Sequence, residues 1–235
     1  MDLMKTVLIC LVALVLLYFI LNWYYGTSSQ LTKMFNAQQQ QRILAATIPT
    51  NNNSSNYTYS TWFYVNDWNY RFGESKVLLA RSDSDNNPGP SIVFGAMEND
   101  ITVSVTCYPT GPNDGQKHLV HQCSITNFPI QKWVNLLVSL YGRTLDIYID
   151  GKLVRTCVLP GVAKINNNAD IIVTPGGGFS GMTSNFKYWS DSKNPQEAYE
   201  IYKDGAGTSS LDIFNKYKLK VSFLEDNTEK GSFSI

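Results

Sequence analysis

Residues 133–154, WVNLLVSLYGRTLDIYIDGKLV, constrain the fold more tightly than any other stretch. Asp150-Gly151 between two alternating runs is a strong β-hairpin signal, because a type I′ turn needs positive φ at both central residues. With those two residues as the loop, Ile149 pairs with Lys152, Ile147 with Val154 and Asp146 with Arg155. Upstream, Gly142-Arg143 makes a second tight turn that aligns Leu140 with Leu145 and Val138 with Ile147. Both registers put Leu136, Val138, Leu140, Leu145, Ile147, Ile149 and Val154 on one aliphatic face. Ser139, Tyr141, Asp146, Tyr148 and Arg155 take the other. A one-residue slip would expose the whole aliphatic set, so this register is well specified.

Short runs rich in β-branched and aromatic residues continue in both directions, among them YTYSTWFYV, KVLLAR, SIVFGA, DITVSVTCY and SNFKYW. Clusters of Gly, Pro, Asn and Asp bound them. Many strands at this spacing predict an antiparallel sandwich or barrel. One helix is expected, in SKNPQEAYEIYKDG. Asn194 is its N-cap, Pro195 fits the first turn, Glu197 lies three beyond the cap and Gly205 supplies the left-handed stop. Ala198, Ile201 and Tyr202 form a narrow apolar stripe suited to docking on a sheet. In the tail, Tyr217, Leu219, Val221 and Phe223 alternate with polar residues and predict one further half-buried strand.

The N-terminus follows a different rule. Residues 7–21 carry no charged or strongly polar side chain, and across 6–25 only Asn22 interrupts. About 20 helical residues span a ~30 Å hydrocarbon layer, and Tyr18, Trp23, Tyr24 and Tyr25 cluster where aromatic rings prefer the membrane interface. A cleaved signal peptide would need a small-residue site after the apolar run, and Asn-Trp-Tyr-Tyr stands there instead. The reading is a single-pass anchor contacting lipid through residues 4–25. Beyond it, Leu31, Met34, Phe35, Ile43 and Leu44 give weak helical spacing for a juxtamembrane stalk. Residues 49–56 (PTNNNSSN) form a polar linker with Asn-x-Ser/Thr sequons at Asn52, Asn53 and Asn56, relevant only where a glycosylation machinery is met.

With 19 basic and 19 acidic side chains the formal net charge is zero, so no bulk electrostatic drive towards nucleic acid exists. Cys10 sits in the apolar run. The remaining three, Cys107, Cys123 and Cys157, allow at most one intrachain disulfide. Cys107 and Cys123, which flank a single connection between strand-like runs, are its candidate pair.

The stretch QKWVNLLVSLYGRTLDIYIDGKLV, with GGFSGMTSNFKYWSDSKNPQEAYEIYKDG after it, resembles the laminin G-like, or concanavalin A-like lectin/glucanase, superfamily. There a Trp-initiated strand leads to a strand ending in Tyr-x-Asp-Gly, and a Phe-x-Gly strand later runs into a helix carrying Glu-x-x-x-Ile/Leu-Tyr. Trp133, Tyr148, Asp150, Gly151, Phe179, Gly181, Glu197, Ile201 and Tyr202 fall near those positions. The resemblance covers residues 57–205 and implies a mainly β, antiparallel two-sheet jelly-roll sandwich with one short helix. A narrower resemblance links the anchor, CSITNFPIQKWVNLLVSLYGRTLDIYIDGKLVRTCVLPG and the tail KYKLKVSFLEDNTEKGSFSI to membrane-anchored virion proteins and minor capsid components of large DNA viruses of algae and protists.

Superfamily glucanases use acids in a Glu-x-Asp-x-Glu pattern on one strand. Asp146-x-Tyr148-x-Asp150 has the spacing but a tyrosine at its centre. The outer Cα atoms of such a strand lie about 13 Å apart, too far for two aspartates to reach the ~5–5.5 Å of a retaining pair. Asp146 opposite Arg155 reads as an ordinary cross-strand ion pair, so no catalytic residues are assigned. Gly176, Gly178 and Gly181 match a dinucleotide-binding spacing, but a strand follows them where a helix N-terminus would be needed. His118, His121, Cys107 and Cys123 lack paired zinc-ligand spacing. Ser82–Asn87 (SDSDNN) offers oxygens of the kind calcium takes in some relatives, and reads better as a solvated loop. No metal and no cofactor are assigned. Tyr141, Asp146, Tyr148 and Arg155 remain as a face for a sugar, for the helix or for a neighbouring protein.

The expected organisation is an anchor over 1–25, a stalk helix and linker over 26–56, the sandwich over 57–210 and a strand and tail over 211–235. The expected function is non-enzymatic: a minor capsid component in a virion inner membrane, joining that membrane to the capsid or other virion proteins. A tethered glycan-binding or adhesion module is the alternative.

Overall fold

The computed structural model describes residues 11, 13–18, 20, 30–50, 54–109, 118–207, 220–225 and 228–234. Its strands are β1 (Gln30–Thr32), β2 (Phe35–Asn36), β3 (Gln41–Ile43), β4 (Tyr57–Asp67), β5 (Lys76–Ser82), β6 (Pro88–Phe94), β7 (Ile101–Cys107) and β8 (Leu119–Ile125). They continue as β9 (Trp133–Tyr141), β10 (Thr144–Ile149), β11 (Lys152–Val158), β12 (Ile171–Val173), β13 (Ser180–Trp189), β14 (Lys220–Glu225) and β15 (Thr228–Ser234). An α-helix, α1 (Pro195–Lys203), follows β13.

Two antiparallel sheets face each other. The first runs β1-β13-β4-β9-β10-β11, with β2 also on β13, and the second runs β3-β12-β5-β6-β7-β8. Strand alternation fills the space between them: Tyr57, Tyr59, Phe63 and Val65 from β4 meet Leu78, Ile92, Phe94, Val103 and Val105 from the second sheet. A polar intruder shares this core. Arg81 is 1% exposed; it donates to Tyr59 Oη at 3.1 Å and to the Ala169 carbonyl at 3.1 Å, with the Tyr188 ring 5.7 Å away. Burial raises the phenol of Tyr59 well above its ordinary value, so it stays neutral beside the guanidinium.

The outer face of the first sheet is also covered. Thr58, Ser60, Asn135, Ser139 and Ser184 are buried there, because α1 and the chain around it lie across them. Asn194 caps α1 as expected: its side chain accepts from Glu197 N–H while Glu197 reaches back to Asn194 N–H. The helix seats Ala198 and Ile201 on Leu137 and Tyr148, and Tyr202 stacks on Trp62 at 5.5 Å. Gly151 serves both turn and helix. Its φ of 72° suits the hairpin, and a Cβ there would stand 3.0 Å from Tyr202 Cβ.

Several expectations change. The stretch read as a stalk helix instead adds strands: Thr32 pairs with Phe186, Phe35 with Thr183 and Ile43 with Ile171. Edge pairing, with Ala37 and Ile48 buried in the core, outweighs a weak helical stripe. The tail holds two strands, β14 and β15, paired as a hairpin. Cys107 is a free buried thiol, and the disulfide joins Cys123 to Cys157. On β7 and β8, Cys123 lies opposite Val103 and Cys107 opposite Leu119, so the expected pair is four residues out of register.

Of the expected membrane span, residues 11, 13–18 and 20 are helical, with Leu14, Leu16 and Tyr18 more than half exposed. The rest of 4–25 lies outside the described residues. Among the described residues no helix is long and apolar enough to cross a membrane.

Candidate functional site

The hairpin that supplied the candidate face follows its expected register only as far as a bulge. Ile149 pairs with Lys152 and Leu145 with Leu140, but Ile147 pairs with Arg155 and Asp146 with Thr156. The extra residue is Val154, which turns outward and is 48% exposed. Asp146 therefore accepts from Thr156 Oγ1 at 2.6 Å and has no cross-strand partner in Arg155.

Tyr148 keeps its side of the sheet but is not accessible there. It is fully buried under α1, and burial, reinforced by the nearby Asp146 carboxylate, raises its phenol pKa. Asp150 belongs to the turn: its carboxylate accepts from Asn135 N–H at 2.9 Å and from Lys132 Nζ at 3.1 Å. Tyr141 stays 68% exposed. The four expected residues thus do not form one surface, and both acids of the glucanase-like spacing are engaged in holding strands together.

A concave site exists elsewhere, on the outer side of the second sheet. A cleft of about 680 Å³ lies between the β5–β6 loop, β3 and the chain entering β12. Its polar lining includes Arg42, Ser84, Asn86, Asn166, Asn168 and Asp170. One wall is the SDSDNN loop, organised by Asp83. That carboxylate accepts from Asp85 N–H and Asn87 N–H, both at 2.9 Å, and from Lys164 Nζ at 2.6 Å. The opposite wall is fixed by Asp170, which accepts from Ala45 N–H at 2.7 Å and from Arg42 Nε. Behind that wall the buried Arg81 holds the Ala169 carbonyl. A core cation therefore positions the backbone that presents Asn168.

Both carboxylates are held below the usual range, Asp83 by Lys164 and then Asn87, Asp170 by the Ala45 N–H and then Arg42. They serve as structural acceptors. The side chains of Ser84, Asn86 and Asn168 have no hydrogen bond to protein among the described residues and face the cleft with the outer part of the Arg42 guanidinium. Such a set offers donors and acceptors in neutral pairs plus one planar cation.

A pH test follows. Because Asp83 has its pKa depressed by folding, its contribution is present above the unfolded value, about 3.9, and is lost as the pH falls through the lower folded one. Thermal midpoints measured from about pH 7 to about pH 2 should fall more steeply at the acid end for the native chain than for Asp83→Asn. Parallel curves would show that the loop does not depend on this carboxylate.

Among the described residues no group of three or more His, Cys, Asp or Glu side chains is placed to hold a metal ion. His118 lies 3.1 Å from Lys164 Nζ and Cys123 is in the disulfide. Both oxygens of Asp83, in the SDSDNN loop, accept from protein nitrogens. A smaller cleft of about 290 Å³ borders α1, lined by Trp189, Lys193 and Glu197. Glu197 is committed there to the helix cap.

The cleft residues carried no recognisable spacing in the sequence. Arg42 and Asp170 are 128 positions apart and meet only because β3 pairs with β12. The oxygen-rich loop was visible as a motif, while its anchor Lys164 was not.

A family model described as the concanavalin A-like lectin/glucanases superfamily matches residues 38–198. A crystal structure of a single-site mutant of HCR/D is similar with a TM-score of 0.52 at 13% identity, covering 74% of this chain and 42% of that one. The binding domain of botulinum neurotoxin DC in complex with SialylT aligns with a TM-score of 0.48 at 15% identity, over 63% of this chain and 35% of that one. The same binding domain in complex with rat synaptotagmin II gives 0.47 at 16% identity, over 63% and 35%. The chain thus spans about two fifths or less of these solved structures. No curated protein matches it.

Proposed function

We propose that this chain, which belongs to the concanavalin A-like lectin/glucanases superfamily, is a non-enzymatic recognition module tethered to a membrane through residues 4–25, with a carbohydrate as its ligand. The observation that carries this reading is the polar cleft beside β3 and β12. Its amide, hydroxyl and guanidinium groups match the alternating donors and acceptors of sugar hydroxyls, and its walls are fixed before ligand arrives. The two acids with glucanase-like spacing are engaged in a turn and a cross-strand bond, which favours binding over hydrolysis.

Saturable binding of the detergent-solubilised full chain to immobilised glycans tests the reading. Arg42→Ala and Asn168→Ala should each weaken it about tenfold, equivalent to the loss of roughly 1.4 kcal/mol, while Tyr141→Ala leaves it unchanged. Absence of saturable binding across a broad glycan panel would sink the carbohydrate assignment. Turnover of a bound glycan would sink the non-enzymatic one.

A second reading, attachment of a virion membrane to its capsid or another protein layer, is favoured by a separate observation. Edge strand β11 exposes Leu153 and Val154 at 48% each and Val158 at 67%, and unpaired edges with apolar side chains accept protein strands. In purified particles this reading expects the chain to stay on the protein shell after detergent. Complete release with the lipid would remove it.

A further inference from the structure

We propose that Asn56 is an N-glycosylation site, carrying an oligosaccharide through its side-chain nitrogen, and that residues 54–207 therefore stand on the oxidising, extracytoplasmic side of a membrane. Two independent observations meet here. The first is local. Asn56-Tyr57-Thr58 has the acceptor spacing, and the side-chain amide of Asn56 is oriented by the fold. Gly142 N–H donates to Asn56 Oδ1 at 2.8 Å. A backbone N–H only donates, so the oxygen must face the Gly142-Arg143 turn and Nδ2 must face away from it. Nδ2 has no acceptor among the described residues, and Asn56 is only half-buried. Replacing one N–H of that nitrogen with a sugar therefore breaks no bond of the folded state. Continuing the β4–β9 pairing of Tyr57 with Leu140 by one step sets Asn56 opposite Tyr141, whose 68%-exposed ring gives the apolar face of the first sugar a surface to pack on.

The second observation is the disulfide between Cys123 and Cys157. Structural disulfides form and persist in oxidising compartments, and in eukaryotic cells that environment is shared with the machinery that transfers N-glycans. In the transfer, Asn56 Nδ2 bonds to the anomeric carbon of the first N-acetylhexosamine. The bond from that carbon to the phosphate oxygen of a lipid-pyrophosphate-linked oligosaccharide breaks, the lipid pyrophosphate leaves, and the displaced Nδ2 proton passes to a base of the transferase. No change of oxidation state is involved.

The fold also sets the order of events. Thr58, whose hydroxyl completes the acceptor, is fully buried, and its Oγ1 donates to the Asp191 carbonyl at 2.8 Å. Transfer must therefore precede closure of the 190–207 segment over β4. Asn52 and Asn53 lie outside the described residues and form no part of this site.

The test expresses the full chain in a eukaryotic secretory cell with Asn52→Gln and Asn53→Gln in place, so that position 56 alone is counted. One discrete drop in apparent mass is expected on treatment with peptide N-glycosidase, with residue 56 converted to aspartate in the treated peptide. The drop should vanish in Asn56→Asp and Thr58→Ala and persist in Thr58→Ser. Asn56→Asp keeps an oxygen for Gly142 N–H, so an intact Cys123–Cys157 link on a non-reducing gel controls for its folding. Protein refolded without a glycan should resist later transfer. An unshifted chain whose Cys123–Cys157 link is oxidised overturns the proposal, and so does a chain with neither the glycan nor the link.

Discussion

Replacing Cys123 and Cys157 by alanine should lower the stability of the sandwich by about 3–4 kcal/mol, the chain-entropy value for a closed loop of 34 residues. The bridge joins β8, at one edge of the second sheet, to β11, at the matching edge of the first. Among the described residues no backbone hydrogen bond joins β8 to β11, so without the bridge these two strands meet through side-chain packing and through the chain after β11, which bonds to β7. Alanine is preferable to serine because Cys123 is 1% exposed, and an unpaired hydroxyl there would add a desolvation penalty of its own. Urea unfolding should show a lower midpoint and a steeper slope, since the unlinked denatured chain exposes more surface. Cys107 cannot take over. Its thiol is buried and its pKa raised by that burial, and its strand neighbour is Leu119. An unchanged midpoint in the double variant, or an equal loss in Cys107→Ala alone, would refute the assignment.

The contrast between this bridge and the one expected from sequence shows what alternation can and cannot report. Period-2 patterning gives the face of each strand, and it placed Leu136, Val138, Leu140, Leu145 and Ile147 correctly in the core. It is blind to a single inserted residue. One bulge at Val154 was enough to move Asp146 from Arg155 to Thr156 and to turn an expected core valine outward. Alternation also says which side chains share a face without saying what lies over it. Tyr148 was correctly set opposite the core, yet that side is closed by α1, whose stripe of Ala198, Ile201 and Tyr202 was itself legible. Edges are harder still. Short stretches within residues 30–43 become strands because β13 and β12 offer edges for them to pair with, a property of the assembled sheets and not of the local stretch. The cleft depends on the same edge pairing, so Arg42 could not be matched with Asp170 before the topology was known.

Truncating Phe63 to alanine should destabilise the sandwich by about 3–5 kcal/mol, lowering the thermal midpoint by roughly 10 °C for a chain of this size. Phe63 projects from β4 in the first sheet and Phe94 from β6 in the second, with ring centroids 5.0 Å apart. Phe128 and Phe179 complete the cluster, at 5.4 and 6.5 Å from Phe63 and at 4.9 and 5.1 Å from Phe94. Trp68 extends it towards the surface, 5.8 Å from Phe128, with Lys76 Nζ 4.6 Å over its ring. Both phenylalanines are fully buried, so the cavity left by either one cannot fill with water at low cost. Phe94→Ala should cost a similar amount. The double variant should lose less than the sum of the two, by about 0.5–1.5 kcal/mol, because each ring is the other's edge or face partner across the sheets. Phe63→Leu, which keeps most of the volume, should remain folded and lose markedly less, giving a measurable cycle if the alanine variants unfold. Strict additivity would mean that the rings contribute only by area. The cleft at β3 and β12 is held by Asp170, Asp83 and Arg81 and by none of these rings. Folded Phe63→Leu should therefore bind glycan as the native chain does, separating the packing of the core from the recognition site mounted on it.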